Sequence, residues 1–150
     1  MEKISFTEIL KSDQPRKEKA KLIAETIRTA KKYSWVGLYD IKDSEISILA
    51  CAGRTEPVFT SFPKDKGLNG KAVMLKQTVV VNDINKDDDY LLTFSNTESE
   101  IIVPVFAENT ETVTGTIDAE SEVKNAFGKE DAGFLEECAK AIQSLWSNKE

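Results

Sequence analysis

Three carboxylates and two aromatic rings stand in segments that otherwise read as core strands. In Ser99-Glu100-Ile101-Ile102-Val103-Pro104-Val105-Phe106 an acid precedes an unbroken apolar run, and in Gly115-Thr116-Ile117-Asp118-Ala119-Glu120-Ser121 two acids alternate with small and apolar residues. Successive side chains of a strand face opposite sides, so Thr114, Thr116, Asp118 and Glu120 share one face while Val113, Gly115, Ile117 and Ala119 share the other. Asp118 and Glu120 are then about 7 Å apart along the strand. They repel each other unless they meet water or a cation, and a ligand amine suits them. A polar sheet face open to water explains the same alternation without a ligand. Trp35 and Tyr39 have equal parity in Trp35-Val36-Gly37-Leu38-Tyr39. They could wall a pocket, face a cation and donate hydrogen bonds, or they could be plain core residues.

Other chemistry finds less support. The chain has no histidine, which removes Cys–His and Ser–His nucleophile pairs. Its two cysteines, Cys51 and Cys138, lack the spacing of a zinc site or redox pair and are not expected to form a disulfide. Cys138 falls in an apolar stripe, as a small buried hydrophobe does. The acidic run Asn82 to Asp89 lacks the alternating ligands, central glycine and closing glutamate of a calcium loop, so no metal is expected there. Gly67-Leu68-Asn69-Gly70-Lys71 lacks the full glycine spacing and the Ser/Thr of a phosphate loop. No cofactor and no catalytic residue is expected.

The elements that must position these residues follow from periodicity. Ala20, Ile23, Ala24, Ile27 and Ala30 form one stripe of a helix over residues 15–32, with Asp13 and Pro15 as start signals. Trp35 to Ile41 and Glu45 to Cys51 read as a β-hairpin, and Val58 to Phe62 as a short strand ended by Pro63. A short helix over Gly67 to Lys76 has Leu68, Ala72, Val73 and Leu75 on its apolar side. Thr78 to Val81 is another strand, followed by the acidic loop and the strand pair that carries the three acids. From Glu130 onward Phe134, Leu135, Cys138, Ala141, Ile142, Leu145 and Trp146 recur at helical spacing, which predicts one long terminal helix. This order describes a single α+β domain over residues 1–150: an antiparallel sheet with the N- and C-terminal helices on one face. Loops and the short helix cover a pocket on the other face.

Composition limits the partners. A formal charge of −6 argues against nucleic acid. Residues 1–33 hold nine Lys/Arg against five Asp/Glu, the surplus of a solvated helix face. No apolar stretch spans a bilayer and the N-terminus lacks a secretory h-region, so a cytoplasmic protein without membrane attachment is expected.

Several motifs together resemble a GAF domain, and within it the free methionine-(R)-sulfoxide reductases. They are Ser34-Trp35-Val36-Gly37-Leu38-Tyr39, the turn Gly67-Leu68-Asn69-Gly70, Val79-Val80-Val81-Asn82-Asp83-Ile84, Ser99 to Pro104, Gly115 to Ser121, and the closing pattern Phe127, Asp131 and Leu135. The resemblance implies a GAF-like fold and places the amine and sulfoxide of a ligand against Trp35, Tyr39, Glu100, Asp118 and Glu120. It also places reactive cysteines where this chain has Asn69, a residue near Glu56 or Pro57, and the stretch Asp89 to Phe94, none of which is cysteine. Asparagine forms neither sulfenic acid nor disulfide. The expectation is therefore a non-catalytic small-molecule-binding module that senses an amino-acid-like or cationic metabolite. Two alternatives stand beside it: a sulfoxide reductase working through Cys51 with an external thiol, and a homodimeric interaction module with a vestigial pocket, associating through terminal helices with Leu145 and Trp146 at the interface.

Overall fold

A computed structural model describes residues 4–53, 57, 59–86 and 96–147. After a short helix α1 (Thr7–Lys11), helix α2 (Arg16–Lys31) leads into the hairpin β1 (Trp35–Lys42) and β2 (Glu45–Ala52). Then come β3 (Ser61–Pro63), α3 (Gly67–Leu75), β4 (Val79–Val81), a 3-10 turn (Ile84–Lys86), β5 (Ser99–Phe106) and β6 (Val113–Ser121). Helices α4 (Lys129–Ala141) and α5 (Ser144–Ser147) close the described chain. The six strands form one antiparallel sheet in the order β3-β2-β1-β6-β5-β4, so β1 and β6 lie at its centre.

The alternation of β6 divides the molecule. Ile117 and Ala119 join Val36, Leu38, Ile101, Val103 and Val105 in the main core, covered by Ile23, Ala24 and Ile27 of α2 and Phe134, Leu135 and Cys138 of α4. The opposite face carries two smaller clusters. Leu68 and Ala72 of α3 pack on Val79, Val81 and Ile102, while Trp35, Tyr39, Ile46 and Phe62 pack together with Cys51 and Val73 at their edge. The expected α+β architecture, terminal helices on one face and short helix on the other, is the observed one.

Local departures have physical causes. The third strand lies at Ser61–Pro63 and contains Pro63, which sits at the sheet edge where no ladder donor is required. Ala30 and Leu75 are exposed because their helices end just beyond them in left-handed caps, at Lys32 and Lys76. The expected strand start at Val58, the residue Glu56 and the segment Asp87 to Phe94 lie outside the described residues.

The terminal helix is not continuous. It breaks at Ile142, and the turn sends α5 back against the sheet. Leu145 and Trp146 are thereby buried in the main core, the commoner of the two places open to such residues, and not at an interface. Trp146 Nε1 donates to the Tyr39 carbonyl at 3.3 Å, and its indole lies where a Cβ on Gly115 would stand. Arg16 ties the same corner together: its Nε donates to the Leu145 carbonyl at 2.7 Å and its guanidinium pairs with the buried Asp40 of β1.

Because one partner of a buried pair cannot be removed without stranding the other, Arg16→Met should cost about 3–5 kcal/mol. Trp146→Ala should cost a similar amount, about 3–5 kcal/mol, through the cavity it leaves. Urea unfolding of each variant against the parent chain measures both.

Candidate functional site

Pairing register brings the acids together. Glu100 of β5 lies opposite Glu120 of β6, and Asp118 lies opposite Ile102, one step along the same face. Their carboxyl oxygens gather within 4.8 Å of one another, and all three side chains are buried. Across the other edge of β6, Trp35 pairs with Glu120, Gly37 with Asp118 and Tyr39 with Thr116. All five residues expected at the site thus share one face of three adjacent strands. The expected water-exposed polar face is excluded, since Glu100, Asp118 and Glu120 are at most 3% exposed.

Helix α3 supplies a sixth group. Leu68 and Ala72 anchor it on Val79, Val81 and Ile102, which turns Asn69 towards the sheet. There Asn69 Nδ2 donates to Asp118 Oδ2 at 2.9 Å, and Asn69 Oδ1 accepts from Thr116 Oγ1 at 2.5 Å. Thr97, just before β5, donates to Glu120 Oε1 at 2.6 Å. Thr97 carried no sequence signal. For Asn69 the signal was a polar residue between the apolar Leu68 and Ala72 of one short helix.

Glycine at position 37 makes room for the aromatic wall. A Cβ there would run into the benzo ring of Trp35, so the indole occupies the space above Gly37. Its centroid is 6.4 Å from that of Tyr39, whose ring meets Phe62 edge-on at 5.9 Å. Cys51 pairs with Gly37 from the β2 side, opposite to Asp118. It therefore shares the face of the acids but stands two strands from Asp118, about 10 Å by strand spacing, with the indole between them. Cys138 lies in the helix layer on the other side of the sheet, where burial pushes its thiol up to about 12. The two cysteines cannot meet.

Electrostatics follow from this enclosure. Desolvation raises Glu100 well above the usual carboxyl range, and the neighbouring Asp118 and Glu120 charges raise it further. Asp118 is raised to about 6 by burial, against the lowering effect of hydrogen bonds from Glu100 and Asn69. Tyr39 is held neutral by burial and by the same three acids. Asp118 Oδ1 is buried with no amide, amine or hydroxyl donor. Among the described residues this is the group of acidic ligand atoms close enough to hold a cation. A metal ion requires fully deprotonated oxygens. Buried carboxyls gathered beside two aromatic rings suit a proton or an organic ammonium instead.

The family-level comparison concerns the fold. Residues 18–145 match the model of the GAF domain. The chain belongs to the GAF family. Among curated relatives, this GAF protein is 32% identical over 112 residues to the free methionine-R-sulfoxide reductase of Saccharomyces cerevisiae, a match covering 73% of this chain and 61% of the yeast protein. Among solved structures it is similar to the type II free methionine-R-sulfoxide reductase of Thermoplasma acidophilum, with 29% identity and a TM-score of 0.80 over 87% of this chain and 94% of that one. The Neisseria meningitidis enzyme in complex with its substrate superposes with a TM-score of 0.84 at 26% identity, covering 95% of this chain and 84% of that one. The GAF protein thus resembles the reductase branch while carrying asparagine, not cysteine, at position 69. Among the described residues no helix is long and apolar enough to cross a membrane.

The raised acids dictate a pH response. A carboxyl whose folded pKa exceeds its unfolded value near 4 binds extra protons in the folded state. Its stabilisation is complete below the unfolded value and is lost as pH rises through the folded one, for Asp118 between about 4 and about 6 and for Glu100 further up. Glu100→Gln keeps the shape and the donor of a neutral carboxyl. It should melt several degrees above the parent chain at mildly alkaline pH and close to it near pH 5, as read by thermal denaturation across that range.

Proposed function

We propose that this GAF protein is a non-catalytic binding module for a small amino-acid-like metabolite, with Glu100, Asp118 and Glu120 receiving its ammonium group and Trp35 and Tyr39 lining its side chain. The observation that carries the reading is the convergence of three buried carboxyls beside two rings on one sheet face. Burying acids is unfavourable, and a cation that accompanies them offsets the loss of water. An ammonium offers three N–H donors to three acceptors, and the ring faces attract the same charge. The reductase relatives supply a probe, free methionine-(R)-sulfoxide, whose amine and polar side-chain tip suit these groups.

Binding without turnover follows from the sulfur chemistry. Asn69 fills the place that the resemblance gives to a thiol, and both ends of its carboxamide are engaged, by Thr116 and Asp118. Cys51 stands behind the Trp35 indole as seen from Asp118, which disfavours a reductase using that thiol. An association through the terminal helices would not use Leu145 and Trp146, which are buried in the core. A sensing role would then be carried by ligand-dependent stabilisation of the sheet face under α3.

A ligand that binds only the folded state stabilises it by RT ln(1 + [L]/Kd), about 2.7 kcal/mol at a hundredfold excess over Kd. Free methionine-(R)-sulfoxide, or another amino acid in a metabolite panel, should raise the melting temperature of the parent chain by several degrees. Asp118→Asn and Trp35→Ala should lose that shift. A panel without any shift in the parent chain refutes the reading, and sulfoxide reduction with dithiothreitol that disappears in Cys51→Ser would replace it with the enzymatic one.

A further inference from the structure

A hydrogen bond between two carboxyl groups requires a proton on one of them. Glu100 stands close enough to Asp118 and Glu120 to share one with either, since an oxygen of each of the three lies within 4.8 Å of the others, and its position explains why it is the shared member. It is the direct cross-strand neighbour of Glu120 and the diagonal neighbour of Asp118, two positions within reach across an antiparallel pair. Asp118 is the better anion of the two, since Asn69 Nδ2 donates to one of its oxygens. Its other oxygen is buried without a hydrogen-bond donor, and a proton on the neighbouring Glu100 would supply one.

We propose that Glu100 stores a proton which the ammonium group of an incoming ligand displaces into solvent, so that binding is coupled to proton release and tightens as pH rises. The inference rests on the cationic-ligand reading above and adds the exchange. An ammonium placed among the three carboxyls takes over as donor to each of them. Glu100 then becomes an acceptor, and a positive charge at hydrogen-bond distance favours its ionised form.

The surroundings single out this group as the one that titrates. From β1 the cluster faces Tyr39, from β2 Cys51, and from β6 Asp118 and Glu120. Tyr39 is held neutral by the acids beside it, and a nearby cation relieves that repulsion without taking the phenol out of its protonated range. Helix α3 presents the neutral Asn69, with Lys71 as its charged residue and Lys76 as its C-cap, and β4 presents only valines. Proton linkage sets the size of the effect. Release of one proton per ligand makes the dissociation constant tenfold smaller for each unit of rising pH, until Glu100 ionises without help.

Two measurements test the exchange. Titration calorimetry with free methionine-(R)-sulfoxide, in buffers of differing ionisation enthalpy near neutral pH, should report about one proton released per ligand in the parent chain. Affinity should rise about tenfold per pH unit. Glu100→Gln should release none and should show a flat profile at the weak, low-pH level. Binding by the parent chain without proton release, or with no dependence on pH, overturns the exchange. Infrared spectroscopy of the protein alone supplies the second measurement. A carbonyl stretch of a protonated carboxyl should persist near neutral pH and vanish in Glu100→Gln but not in the exposed control Glu108→Gln. Absence of that band overturns the stored proton whatever the ligand is. The band together with no calorimetric binding upholds the proton and refutes the methionine sulfoxide reading, so the two failures are distinguishable.

Discussion

Desolvation of Glu100, Asp118 and Glu120 on the centre of one sheet is the constraint to which the rest of this fold answers. A carboxylate removed from water must find a proton, a donor or a cation, and each neighbour meets part of that need. Asn69 arrives from α3 to donate to Asp118, Thr97 arrives from just before β5 to donate to Glu120, and Glu100 stands beside both acids of β6. The short helix is therefore more than a lid. Its apolar contacts to Val79, Val81 and Ile102 hold the one carboxamide that reaches the acids.

The opposite face shows how such a cluster is tolerated. Marginal stability leaves little room for buried charge, and the main core between sheet and helices supplies the compensating apolar burial, from Ile23 and Ile27 to Ile117 and Leu135. Asp40 is buried on that side too, but there Arg16 meets it with a guanidinium and also holds the Leu145 carbonyl. The two faces thus treat buried acids differently. On the helix face an internal cation is built in, and on the α3 face Glu100 and Asp118 are served by neutral donors and by each other. That asymmetry is the physical basis for reading the second face as a place for a cation that arrives from outside.

The resemblance to sulfoxide reductases and the asparagine at position 69 bear on two separate properties of the site, recognition and chemistry. The groups that would hold an amino-acid ligand converge. The position that would hold the reacting sulfur carries a carboxamide engaged at both ends, and the available thiol of Cys51 lies across the indole. Recognition and chemistry are separable because one depends on strand register and the other on a single side chain in a turn.

Much of this was legible in the chain because it is local. The two-residue period of β6 assigns Asp118 and Glu120 to one face and Ile117 and Ala119 to the other before any partner is known, and the same parity joins Trp35 to Tyr39. Helical spacing located α2 and the apolar stripe of α4 for the same reason. What the tertiary structure alone decided is non-local: that β6 lies between β1 and β5, so that Trp35 and Tyr39 meet the acids; that Thr97 turns inward; and that Cys51 lies on the far side of β1 from Asp118. It also decided that the last helix breaks at Ile142 to seat Trp146 on Gly115. Periodicity determines which way a side chain points from its own strand, whereas what it meets there depends on contacts between residues far apart in sequence, and those are set only when the whole sheet closes.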